Sequence, residues 1–217
     1  MNLTDYIRIL LRRGWIIVIA ILLTAGSAFI FSRVQTRVYR ATQIILIKPA
    51  RADFGLTQSL KQLMGSYVLR LDTDLRADEV IRVLKLEFLP AQLHDMVKVT
   101  PDLNNLSIVI DVDMTDGATA ASVAQEYGQL FVQWRNQENQ PQRLEDRITA
   151  EMLDAPTPGL IRPNTSVNVA AGALLGVLIG GVVVFVLEYL ESNIMRRAED
   201  VERFLELPVL GRLINED

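Results

Sequence analysis

Hydrophobic positions fall along the chain in two uncharged runs separated by a long mixed segment. Gly14 to Phe31 is 18 residues without a charge, and Val167 to Leu187 is 21. At about 1.5 Å of rise per residue, the second run is long enough for a helix across a bilayer core of roughly 30 Å, and the first is near the lower limit. Both predict membrane-spanning helices. In the second run Gly172, Gly176 and Gly180 recur every four residues, with Gly181 beside the last. Each interior glycine would cost a helix in water about 1 kcal/mol against alanine. In lipid the same residues remove bulk and let another helix approach closely. Ala20, Thr24 and Ala28 form a small-residue stripe of the same spacing in the first run, and Trp15 suits an interfacial position. A cleavable signal peptide is the competing reading of the first run, with Ala25-Gly26-Ser27-Ala28 as a loose cleavage site. The small-residue stripe and the length favour two spans.

The middle of the chain changes period. Val38 to Ile47 is β-rich and meets Pro49, while Leu56 to Leu69 and Asp74 to Leu86 carry apolar residues at helical spacing. Pro90 opens a short helix to Met96. Val97 to Thr100 and Leu106 to Val112 read as strands around a turn at Asp102, Asn104 and Asn105, with Ile108, Ile110 and Val112 on one face. Thr115 or Asp116 caps the next helix, whose apolar stripe runs through Ala120, Val123, Tyr127, Leu130 and Trp134. Arg147 to Leu153 returns as a last strand. Pro156, Pro158 and Pro163 then stiffen an extended linker into the second span.

These elements predict an α+β membrane protein, with two transmembrane helices flanking a small extracytoplasmic α/β domain. Its parts are a cytoplasmic N-terminal segment (1–13), the first span (14–31), the α/β domain (32–166, ending in the proline-rich 156–163), the second span (167–187) and a cytoplasmic tail (188–217). Arg8, Arg12 and Arg13 before the first span, and Arg196, Arg197 and Arg203 after the second, favour both termini inside, whereas Arg33, Arg37 and Arg40 pull the other way. In the tail, Val201, Phe204 and Leu205 share one side of a short helix. Pro208 ends it, and Val209, Leu210, Leu213 and Ile214 leave an apolar stretch. A segment this short buries no core of its own and calls for a partner or a membrane surface.

Charge and chemistry narrow the function classes. Net charge is −4 with no basic run, so a nucleic-acid partner has no electrostatic support. There is no cysteine, and the one histidine, His94, has no second histidine to complete a zinc set and reads as solvated. Asp111, Asp113 and Asp116 read as the polar face of a strand plus a helix cap rather than a cation site. Asp72, Asp74, Asp78 and Glu79 could supply paired carboxylates for an enzyme acting on lipid-linked sugars, but acids at helix starts account for them. No phosphate loop of the form G-x-x-x-x-G-K-[ST] occurs. No catalytic, cofactor or metal residues are expected.

The arrangement resembles the polysaccharide co-polymerases, the chain-length determinants or Wzz-like proteins, in the short form that adapts a bacterial tyrosine autokinase to the membrane. The resemblance rests on Asp5-Tyr6 and Leu11-Arg12-Arg13-Gly14-Trp15 before the first span, and on Leu106 to Asp113 leading through Asp116 and Ala120 into a long helix. It rests further on Ala155-Pro-Thr-Pro and Arg162-Pro163-Asn164 before a glycine-bearing span, then Leu187-Glu-Tyr-Leu190, Glu199-Asp-Val-Glu202 and Leu207-Pro-Val-Leu-Gly211. It implies a non-enzymatic protein of the bacterial inner membrane that sets the length or export of an exopolysaccharide, capsule or O-antigen. It also implies a ring-like homo-oligomer and a tail (Val201, Phe204, Leu205, Pro208 to Leu210, Leu213, Ile214) that docks a cytoplasmic tyrosine autokinase or polymerase. The alternative is a two-span sensor with a ligand-binding outer domain, whose mark would be a pocket of converging polar groups that the sequence does not disclose.

Overall fold

The computed structural model describes residues 3–51 and 53–192. It divides into two compact units, one of the chain's first 34 residues with those from Asn164 onward, the other Gln35–Pro163. The tail residues Val201, Phe204, Leu205, Pro208, Val209, Leu210, Leu213 and Ile214 lie outside the described residues.

The first unit is a pair of long helices, α1 (Leu3–Val34) and α6 (Thr165–Ser192). Arg12–Val34 and Thr165–Glu191 have mean hydropathies of 2.3 and 2.7, long and apolar enough to cross a membrane. The residues before Gly14 and the apolar run after it form one continuous helix, α1.

The second unit is a five-stranded antiparallel sheet with helices on one face. β1 (Val38–Pro49) is central and pairs with β3 (Ser107–Met114) along one edge, Tyr39 opposite Met114 through Leu46 opposite Ser107. β2 (Val97–Asp102) flanks β3. Along the other edge of β1, β4 (Ile148–Met152) pairs with Ile45 to Pro49, and β5 (Gly159–Arg162) with Val38 to Arg40. The period of two separates the faces. Ala41, Gln43, Ile45 and Ile47 of β1 join Ile108, Ile110 and Val112 of β3 in the core, while Ile44 and Lys48 are exposed on the other face.

The helices close the core. Asp53 caps α2 (Phe54–Leu71), its Oδ1 accepting from the Leu56 N–H at 3.1 Å, and Thr73 caps α3 (Asp74–Leu84). α4 (Pro90–Met96) opens on Pro90, whose missing N–H costs nothing in a first turn. Asp116 caps α5 (Gly117–Asn139) through the Thr119 N–H at 2.8 Å. The buried stripe of α5 runs Ala120, Val123, Ala124, Tyr127, Gly128, Phe131, Arg135, Asn139. Leu130 and Trp134 are only partly buried at its side, so the stripe turns toward Phe131 and Arg135. A Cβ on Gly128 would lie 3.0 Å from Gln43 Cγ and 3.1 Å from Met152 Cε, so the helix sits close on the sheet.

The stretch after β4 is not a bare linker. Gly159–Arg162 pairs with β1 as β5, Pro156 is buried, and Pro158 lies against Gly117 in the first turn of α5. Pro163 follows a cis peptide bond with Arg162.

Candidate functional site in the helix pair and the domain

Small residues bring α1 and α6 together. A Cβ built on Gly172 would lie 2.8 Å from Ala28 Cβ and 2.9 Å from the Thr24 carbonyl oxygen. One on Gly176 would meet Thr24 Oγ1 and lie 2.6 Å from Ile21 Cα, and one on Gly180 would lie 2.8 Å from Ile17 Cα and 3.2 Å from Ala20 Cβ. The order Ala28, Thr24, Ala20 against Gly172, Gly176, Gly180 makes the pair antiparallel. Gly181, one residue off the seam, meets nothing within 4 Å. Val184 is buried and continues the four-residue period.

Polar contacts mark both ends of the seam. The Ser32 hydroxyl donates to Thr165 Oγ1 at 3.1 Å, and Asn168 Nδ2 donates to Ser32 Oγ at 3.3 Å. At the other end Arg13 pairs with Glu188 at 3.5 Å and with Glu191, and Arg12 lies 3.9 Å from Glu191. Thr24 turns its hydroxyl back to the Ala20 carbonyl at 2.8 Å, so it presents little unpaired polarity to α6. Lipid supplies no hydrophobic drive between helices, so close van der Waals packing and these polar ends are what can hold the pair.

In the domain, several acidic residues are engaged in ion pairs and hydrogen bonds. Arg40 makes a two-pronged contact with Asp113 at 2.6 and 2.7 Å, which holds the carboxyl of Asp113 below the usual carboxylate range and raises the guanidinium. Asp111 accepts from Thr42 at 2.6 Å, Glu79 pairs with Arg76 at 2.5 Å, and Asp78 pairs with Arg82. Among the described residues no group of three or more His, Cys, Asp or Glu side chains is placed to hold a metal ion.

His94 is held rather than simply solvated. Its Nε2 lies 2.8 Å from Asp72 and its Nδ1 2.8 Å from Asp74. Only the imidazolium can donate from both nitrogens at once. The hydrogen bond to Asp72 accordingly pushes the histidine's pKa up, with Asp74 adding and partial burial opposing. The sequence signal was present in the two acids at the α2–α3 junction, but twenty residues separate them from His94.

Comparison with known proteins places these elements. The family model of the Wzz chain length determinant protein matches residues 1–85, from α1 through β1, α2 and α3. Over those residues the chain is similar to the Wzz chain length determinant proteins. Its relatives extend the match over most of the length. The probable capsular polysaccharide biosynthesis protein YwqC of Bacillus subtilis is 26% identical over 90% of this chain and 80% of its own length. The capsular polysaccharide biosynthesis protein CapA of Staphylococcus aureus is 24% identical over 89% and 87%, and CpsC of Streptococcus pneumoniae 26% over 96% and 91%. The two apolar helices, the first of them within the Wzz match, are consistent with a two-span membrane protein.

Proposed function

We propose that this chain is a non-enzymatic inner-membrane regulator of capsular polysaccharide biosynthesis, setting polymer length or export. The observation that carries the reading is the Wzz match over α1 and the first part of the domain, in a chain that aligns with capsular biosynthesis proteins from one apolar helix to the other. In this reading both termini are cytoplasmic, the α/β domain stands outside, and copies assemble side by side. The glycine seam holds each hairpin rigid, so that assembly outside is transmitted to the tail. Val201, Phe204, Leu205 and the stretch from Pro208 to Ile214 dock a cytoplasmic tyrosine autokinase or polymerase. The ion-paired and capping roles of Asp78, Glu79, Asp111, Asp113 and Asp116 support a role without chemistry.

Deleting Glu199 to Asp217 tests the docking role. Co-purification with a co-expressed cytoplasmic tyrosine autokinase is expected to fall to background, while membrane level stays constant. Unchanged co-purification removes the tail from the account. An enzyme acting on lipid-linked sugars would instead depend on carboxylates, so Asp72→Asn with Asp74→Asn is expected to leave polymer length unchanged.

A further inference from the structure

The end of α5 opposite its cap carries a feature that a regulator of assembly does not need. Between α2 and the last turns of α5 lies a groove of about 330 Å³, lined also by Ile148 of β4. Its size is at the small end of ligand cavities, room for one or two rings. Two guanidiniums face it. Arg135 is 4% exposed, its Nη2 donates to the Ile148 carbonyl and to Asn139 Oδ1 at 3.2 Å each, and among the described residues its buried Nε has no partner. Arg70 is exposed and lies over the Trp134 ring, 4.3 Å from its centre. Among the described residues neither arginine has an ion pair. Guanidinium stays charged at any physiological pH, and a buried charge without a counter-charge is costly. Tyr67 and Trp134 relieve part of that cost, each with its ring centre 5.2 Å from the Arg135 head. They leave the Nε donor open.

The rest of the lining defines what the anion belongs to. Leu63 and the Tyr67–Trp134 edge-to-face pair present apolar surface, while Ser66, Glu138 and Gln142 add neutral and acidic acceptors and donors. Trp134 Nε1 is a second buried donor without a partner among the described residues. Two forked cations, an aromatic wall and scattered hydroxyl partners suit a ring that bears one acidic group and several hydroxyls. The geometry points to this groove as a binding site for an acidic sugar residue, with its carboxylate or phosphate taken by Arg70 and Arg135 and its hydroxyls by Ser66, Glu138 and Gln142. Arg135 is placed for this by Asn139, which locks onto the backbone of Ile148 from both sides: Nδ2 donates to its carbonyl at 2.8 Å and Oδ1 accepts its N–H at 3.2 Å.

That the ligand is a sugar rests on the role in polysaccharide biosynthesis; the uncompensated arginines do not. The test uses full-length protein in detergent micelles with Trp15→Phe, leaving Trp134 as the one tryptophan of the original two. Trigalacturonate and glucose 1-phosphate are titrated against its fluorescence, with maltotriose and inorganic phosphate as controls. Saturable binding of a charged sugar is expected, weakened by salt and by at least about tenfold in Arg70→Gln and in Arg135→Gln. Arg70 is exposed, so its variant keeps the test valid even where loss of Arg135 unfolds the domain. No binding, equal binding of maltotriose or of phosphate alone, or indifference to Arg70→Gln overturns the site. If deletion of the gene changes polymer length while no sugar binds, the regulatory role stands and only this groove is lost.

Discussion

Replacing Gly176 by alanine adds one methyl at the tightest point of the helix seam. The new Cβ would lie 2.6 Å from Ile21 Cα and 2.9 Å from Ile21 N, closer still to Thr24 Oγ1. A rotamer change in Thr24 relieves the last of these, but the other two are backbone atoms of α1 and cannot rotate away. Carbon atoms in contact settle about 3.5–4.0 Å apart, so the helices must part by roughly 1 Å, enough to forfeit a quarter to a half of the dispersion energy around the site. Overpacking of this kind costs about 1–3 kcal/mol. Gly181→Ala is the matched control, since nothing lies within 4 Å of its position. Both substitutions carry the same helix-propensity gain, so their difference isolates the contact. Equilibrium unfolding of the full-length protein in mixed detergent micelles, read by Trp15 fluorescence in a Trp134→Phe background, is expected to show Gly176→Ala destabilised by that amount and Gly181→Ala near neutral. Equal effects of the two, or a neutral Gly176→Ala, would refute the seam.

Further outcomes follow from the domain. His94 has a raised pKa in the folded state, so its stabilisation is present below the unfolded value near 6.5 and lost as pH rises through the folded one. The stability gap between wild type and His94→Gln, measured by urea unfolding, should therefore be widest below the unfolded value and narrow as pH rises above it. A gap that widens with pH would contradict the carboxylate clamp. Asn139→Ala removes the acceptor of the buried Ile148 N–H, one of the two donors to the Ile148 carbonyl and one acceptor of Arg135, and should cost about 1–3 kcal/mol. Asn139→Asp, which keeps an acceptor but loses the donor, should fall between.

How much of this was legible in the sequence depends on whether the signal is local. The glycine ladder and its stripe of Ala20, Thr24 and Ala28 are period-four patterns within single helices, and the cap at Asp116 is set by a neighbour three residues away. The strands β1 and β3 show their alternation directly. By contrast β5 is four residues between prolines, and only the free edge of β1 makes Gly159–Arg162 a strand. The turn of the α5 stripe from Trp134 to Arg135 depends on the aromatic cluster with Tyr67 and on the Ile148 backbone, both distant in sequence. The clamp on His94 and the groove at Arg70 and Arg135 are likewise products of α2 meeting α4 and α5. Neither has a motif to read.

The central claim is that this hairpin-anchored domain sets the length of a capsular polymer through the packing of its spans. The direct measurement is the size distribution of the surface polymer in a strain lacking the gene, complemented by wild type, by Gly176→Leu or by Gly181→Leu at equal membrane levels. Deletion is expected to shift the distribution, with wild type and Gly181→Leu restoring it and Gly176→Leu failing to do so. An unchanged polymer in the deletion strain, or full restoration by Gly176→Leu, would contradict the account.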